Sequence, residues 1–182
     1  MQVIGDSKPA PPDLLSIYRQ GQELLKAGKL EPAAGSWRAA AGQIDHSAPA
    51  WSRLWLPSRV ADAFAGERQW KDADAAYQSV IGESAGVDPD ITTELLKAWA
   101  GTFAQRGDWA NAEKYYRQAA IESQKLRSEN LLLANIFDLI AFASSTRGDA
   151  SQAEKYNFAA LAIQQSWRRR AWLPLSPSTA SV

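Results

Sequence analysis

The sequence predicts an all-α fold, a right-handed α-solenoid built from four helix–turn–helix repeats. Three observations carry that prediction. A turn that opens a helix recurs at Gly28-Lys29, Gly107-Asp108 and Gly148-Asp149, with Arg68 holding the glycine's place in a fourth copy. After each turn, small and aromatic residues return at three- and four-residue spacing and so share one helix face. The sets are Leu30, Ala33, Trp37, Ala40; Trp70, Ala73, Tyr77, Val80; Trp109, Ala112, Tyr116, Ala119; and Ala153, Tyr156, Ala160. Finally, Ala33, Ala73, Ala112 and Ala153 stand 40, 39 and 41 residues apart, and self-similarity at such a period marks stacked helix pairs.

Taken in order, residues 1–12 form an extended leader ending in Pro9-Ala10-Pro11-Pro12, which cannot be helical throughout. Repeats are expected over about 13–48, 49–88, 89–127 and 128–168, all within a solenoid spanning 13–170. Asp13 caps the first helix, whose buried stripe is Leu14, Ile17, Gly21, Leu24 and Leu25. Its partner runs from about Leu30 to Ile44, with Pro32 tolerated in the first turn. The second repeat carries Trp51, Leu54, Trp55 and Val60, and Pro57 falls inside its first helix. A proline there predicts a bend or a late start near Leu56, making this repeat the irregular one. The third repeat begins near Pro89 with Leu95, Leu96, Trp99, Ala100 and Phe103, and Asp108 caps its second helix. The fourth offers Leu132, Leu133, Ile136, Phe137, Ile140 and Ala141, then a helix over about Ala150 to Arg168. Residues 171–182 read as a disordered Ser/Pro tail.

The stretch from Gly107 to Ala119 resembles the second half of a tetratricopeptide repeat: a Gly-Asp turn, then small Ala112, aromatic Tyr116 and Ala119 in register. That pattern asks the preceding helix for a small residue and a large one. Gly21 and Leu24, Ala61 and Phe64, and Ala100 and Phe103 supply them, while the last repeat has Ala141 but Ser144. The resemblance covers roughly residues 14–165. The period exceeds the common one of about 34 residues and is similar to the longer repeats of kinesin light chains and bacterial regulatory proteins. The run from Ala112 to Ala120 most resembles arrays that accompany kinase or caspase-like domains in bacteria, neither of which is in this sequence. The resemblance implies a non-catalytic scaffold or adaptor that binds a protein or peptide segment on the concave face lined by the first helix of each pair.

Composition narrows the chemistry. Twenty basic and twenty acidic residues give a formal net charge of zero, so no global field draws the chain to nucleic acid or to a membrane. There is no cysteine and one histidine, His46, in a connection without other ligand types. It reads as a solvated loop residue, with no metal or cofactor expected. No phosphate loop, zinc-protease or nucleophile-elbow motif is present. Paired carboxylates such as Asp72 and Asp74, or Glu113 and Glu122, fall on solvated helix positions, so no enzyme is expected. No signal peptide is seen, and Leu131 to Ala143 is too short to span a bilayer. A single-domain cytoplasmic protein is the expectation.

The resemblance places the groove at Tyr18, Arg19, Gln22 and Lys26 in the first repeat and Ser58, Arg59 and Asp62 in the second. In the third it implies Glu94, Lys97, Gly101 and Gln105, and in the fourth Asn135, Asp138 and Phe142. The arrangement by which chaperone-binding relatives hold a C-terminal carboxylate is not reproduced, since the key asparagines are missing. Arg19, Lys26 and Arg59 make the first half basic, suited to an acidic, partly aromatic extended segment. Trp51 and Trp55, four apart, are either core or an aromatic ledge. A second surface is Trp167, Arg168, Arg169, Arg170 and Trp172. It either covers the end of the stack or touches nucleic acid or an anionic membrane. The last helix is apolar on more than one face, so self-association through the fourth repeat is a further expectation.

Overall fold

The computed structural model describes residues 13–126 and 131–171. Eight α-helices follow in order among them: α1 (Leu14–Lys26), α2 (Leu30–Ala41), α3 (Ala50–Gly66), α4 (Trp70–Ser84), α5 (Pro89–Gln105), α6 (Trp109–Ser123), α7 (Leu131–Thr146) and α8 (Ala150–Ala171). They form helix pairs in two compact units, which divide between Ile91 and Thr92.

The tight turn inside each pair has one backbone geometry. Gly28, Gly107 and Gly148 have φ of 71°, 75° and 83°, and Arg68 takes the same left-handed region at 59°. In each, the next residue's amide reaches back to close the preceding helix: Lys29 to Leu24, Gln69 to Phe64, Asp108 to Phe103 and Asp149 to Ser144, all at 2.9 Å. This Schellman-type closure satisfies carbonyls that a helix end would otherwise expose. The expected caps form, with Asp13, Asp108 and Asp149 accepting from the amides of Ser16, Asn111 and Gln152 at 3.2, 3.2 and 3.0 Å.

In the first unit, α3 packs against α2 and α4, and α1 packs on α2 and touches α3. Ala33, Ala34, Trp37, Leu54, Leu56, Val60, Ala61, Phe64, Ala73, Tyr77 and Val80 are its core. Gly21 is there because of Trp37. A Cβ at position 21 would lie 2.2 to 2.6 Å from the indole, whose Nε1 donates to the Ile17 carbonyl at 3.2 Å. The rest of the expected α1 stripe, Leu14, Ile17, Leu24 and Leu25, is half-buried.

Pro57 corrects the expectation of a late helix start near Leu56. α3 runs unbroken from Ala50 to Gly66 with the proline inside it. A helix-interior proline costs about 3 kcal/mol. Burial of Leu54, Leu56, Val60, Ala61 and Phe64 against two neighbouring helices offsets that locally. The two tryptophans separate: Trp55 packs on Tyr18, while Trp51 is 61% exposed.

In the second unit, α7 packs against α6 and α8. Leu95, Leu96, Trp99, Ala100, Phe103, Ala112, Tyr116, Ala119, Ile136, Ile140, Ala141, Ala153 and Ala160 are buried. Tyr115 of α6 joins Trp99 and Phe103 of α5 in an aromatic cluster, its ring centroid 4.1 and 5.2 Å from theirs. Helix α8 passes the expected end at Arg168 and reaches Ala171; the leader and the rest of the tail lie outside the described residues. No described helix is long and apolar enough to cross a membrane.

Candidate functional site

Four of the seven groove positions expected in the first unit come together. Tyr18 and Gln22 are one turn apart on α1, and Arg59 and Asp62 lie on one face of α3. With Leu25 and Trp37 they line a depression of about 260 Å³. Tyr18 stacks on Trp37 with centroids 5.7 Å apart and leans on Trp55 at 5.0 Å, so the aromatic wall is built before any ligand arrives. Gln22 Nε2 donates to the Tyr18 hydroxyl at 2.6 Å, which leaves its amide an acceptor and a second N–H for a bound backbone.

Asp62 organises the other wall. Arg59 bridges to its Oδ2 at 3.0 Å, and the Tyr77 hydroxyl donates to Oδ1 from α4. Burial first, and the Asp62 carboxylate second, push the Tyr77 phenol far above its ordinary value, so it stays a proton donor to Asp62. This pairing was not legible in the sequence, because residues 62 and 77 meet only when α4 packs on α3.

The positive character expected of this half is therefore largely cancelled. Arg59 is matched by Asp62, and Lys26, outside the depression, pairs with Glu23 at 2.7 Å. Arg19 is exposed and has no partner among the described residues. Ser58 is buried and donates to the Trp55 carbonyl at 2.6 Å, so it is no groove residue.

In the second unit, Glu94 and Lys97 pair within α5, Nζ lying 2.7 Å from Oε2. Asp138 of α7 accepts from Gln164 of α8 at 3.3 Å. Gln105 and Asn135 are exposed, and among the described residues no hydrogen bond joins either to those pairs. Phe142, 61% exposed, meets Trp109 edge-on.

Glu113 overturns its assignment to a solvated helix position. It is 6% exposed, and Arg117 and Arg147 both bond to it, Arg147 at 2.6 Å. Burial alone would raise its carboxyl, but the hydrogen bonds and charges of the two arginines outweigh that and hold it below the usual range. Arg117 also lies over Tyr156, 4.9 Å from the ring centroid, so the cluster ties α6, the turn after α7 and α8 together. The buried carboxylate is a structural clamp.

His46 is exposed in its turn, and no group of metal-ligating residues occurs among the described ones. Of the second surface, Trp167, Arg168 and Arg169 are exposed on α8. The Arg170 side chain and Trp172 lie outside the described residues.

No family model and no curated protein matches the sequence. Solved structures do. A kinesin light chain-type protein from Podosopora anserina with nearly identical TPR-like repeats is similar at 19% identity and a TM-score of 0.65, over 90% of this chain and 80% of that one. MamA is similar at 14% identity and a TM-score of 0.61, over 91% of this chain and 80% of that one. Aspartyl phosphate phosphatase F from Bacillus subtilis is similar at 18% identity and a TM-score of 0.66, over 85% of this chain but 41% of that one. At these identities the likeness establishes the fold: an all-α array of tetratricopeptide-like helix pairs.

Proposed function

We propose that this chain, whose fold is that of the tetratricopeptide-like repeat proteins, is a non-catalytic adaptor that binds a protein segment through the first helices of its pairs. The observation that carries this reading is the preformed depression of the first unit, where Tyr18, Gln22, Arg59 and Asp62 converge. It combines an aromatic wall, an amide able to pair with a peptide backbone, and a carboxylate already neutralised. Such a surface recognises an extended segment by packing and hydrogen bonding, with no bond made or broken. Because Arg59 is matched by Asp62, packing on the aromatic wall outweighs charge in the depression, and Arg19 adds a modest preference for an acidic residue in the segment. Glu94, Lys97, Gln105, Asn135 and Asp138 are proposed to serve the same role in the second unit.

The test is site-specific photocrosslinking in native lysate with the full chain. A crosslinker at position 22 is expected to label a discrete client that one at exposed Gln78 of α4 does not. An Arg19→Glu change is expected to weaken that labelling. Equal labelling from both positions, or none from position 22, overturns the reading.

A further inference from the structure

The first unit carries a second cleft, lined by none of the residues proposed for segment binding. Arg38 of α2, Pro57 and Val60 of α3, and Asp72, Val80 and Glu83 of α4 enclose about 380 Å³. Its floor is apolar. Along one wall Asp72, Ser79 and Glu83 recur on a single face of α4. Asp72 and Glu83 are exposed, and neither has a partner among the described residues. Arg38 is occupied over the Phe64 ring, 5.2 Å from its centroid. The cleft thus presents an apolar seat beside two carboxylates and one arginine, and neither carboxylate is held in an ion pair among the described residues.

The complementary chemistry sits on α8. Trp167 is 47% exposed, and Arg168 and Arg169 beside it are exposed; none of the three has a partner among the described residues. Net charge points the same way. Residues 1–91 hold nine Lys and Arg against twelve Asp and Glu, a formal −3, and residues 92–182 hold eleven against eight, a formal +3. The zero net charge of the whole chain conceals two halves of opposite sign.

We infer that the end of α8 of one copy docks in this cleft of a second copy, with Trp167 on the apolar floor and Arg168 and Arg169 facing Asp72 and Glu83. Tryptophan and arginine are the side chains that most often anchor interfaces, and opposed patches speed encounter and fix its orientation. The two surfaces are different patches of one molecule, so the contact is heterologous. Repeated from copy to copy, it builds open chains unless the rotation closes a ring.

Sedimentation velocity of the full chain across a concentration series, at low and high salt, tests this. The mean mass is expected to rise with concentration and to fall on adding salt. Arg168→Glu/Arg169→Glu and Asp72→Lys/Glu83→Lys are each expected to weaken association at least tenfold while keeping the native helical circular-dichroism spectrum. An equimolar mixture of the two variants is expected to associate again, because the reversed charges match across copies. A native chain that stays monomeric at every concentration overturns the inference. So does association that neither reversal weakens, which would place the contact on exposed Phe158 and Leu161 of α8 instead. Failure of the mixture to recover association overturns it as well.

Discussion

The two units use one backbone device and different side chains to hold it. In the first, α1 and α2 close on a Gly21–Trp37 contact, and the Tyr77 hydroxyl of α4 donates to Asp62 of α3. In the second, the small residue matching Gly21 is Ala100, and Glu113 clamps two arginines. The first therefore rests on the fit of a large indole over a missing Cβ, the second on charge. Helix pairing needs a close crossing and satisfied polar groups, and many side-chain sets meet both requirements. That is why chains below a fifth identical share this fold.

The comparison breaks most sharply at Gly21. Gly21→Ala places a methyl inside the space of the Trp37 indole, which is only 1% exposed. A loss of about 3 kcal/mol is expected by urea unfolding, the upper end of the overpacking range. Trp37→Phe in the same protein should recover part of it, since a smaller ring leaves room.

Next comes Glu113→Gln, which leaves Arg117 and Arg147 without their carboxylate. The expected loss is about 2 kcal/mol, below that of a fully buried pair because both arginines are partly exposed. The sign with pH follows from the depressed folded-state pKa. The Glu113 contribution is present above the ordinary glutamate range and is lost as pH falls through the folded value. A thermal-melt series in acid should therefore lose its Glu113-dependent slope in the variant. In alkali the raised phenols of Tyr77 and Tyr116 act oppositely. Their contribution is intact below pH of about 10 and is lost as pH rises beyond it.

Two smaller changes probe where one pair departs from the others. Ser144 is fully buried, and its hydroxyl lacks a hydrogen-bond partner among the described residues, at the position where other pairs have Leu24, Phe64 and Phe103. Ser144→Ala should stabilise by about 1 kcal/mol, read by denaturant midpoint, because it removes an unsatisfied hydroxyl. Arg68→Gly should stabilise by roughly 0.5 kcal/mol, since it relieves a left-handed backbone that the other three turns entrust to glycine.

Much of the fold was legible in the residues. The turns, the aspartate caps and the stripes of Trp37, Tyr77 and Tyr116 follow from local stereochemistry and the 3.6-residue period, and the structure reproduces them. Pro57 was legible as a local defect and misjudged as a late helix start, because the packing that supports the helix around it comes from α2 and α4. Trp51 and Trp55 share one face by spacing, yet among the described residues Trp55 packs on Tyr18 while Trp51 is exposed. Glu113 was placed in solvent as one of a pair of carboxylates on a helix; the arginine that reaches it from outside that helix, Arg147, lies 34 positions away.

The sequence by itself determined that this is an all-α chain of repeated helix pairs, because turns, caps and apolar periodicity are written in residues a few positions apart. Only the tertiary structure decided that Asp62 accepts from Tyr77 of α4, that Glu113 is a clamp, and that Asp72 and Glu83 flank an apolar cleft. Each of those depends on side chains from different helices meeting in space, and one helix's periodicity carries no information about what its neighbour presents to it.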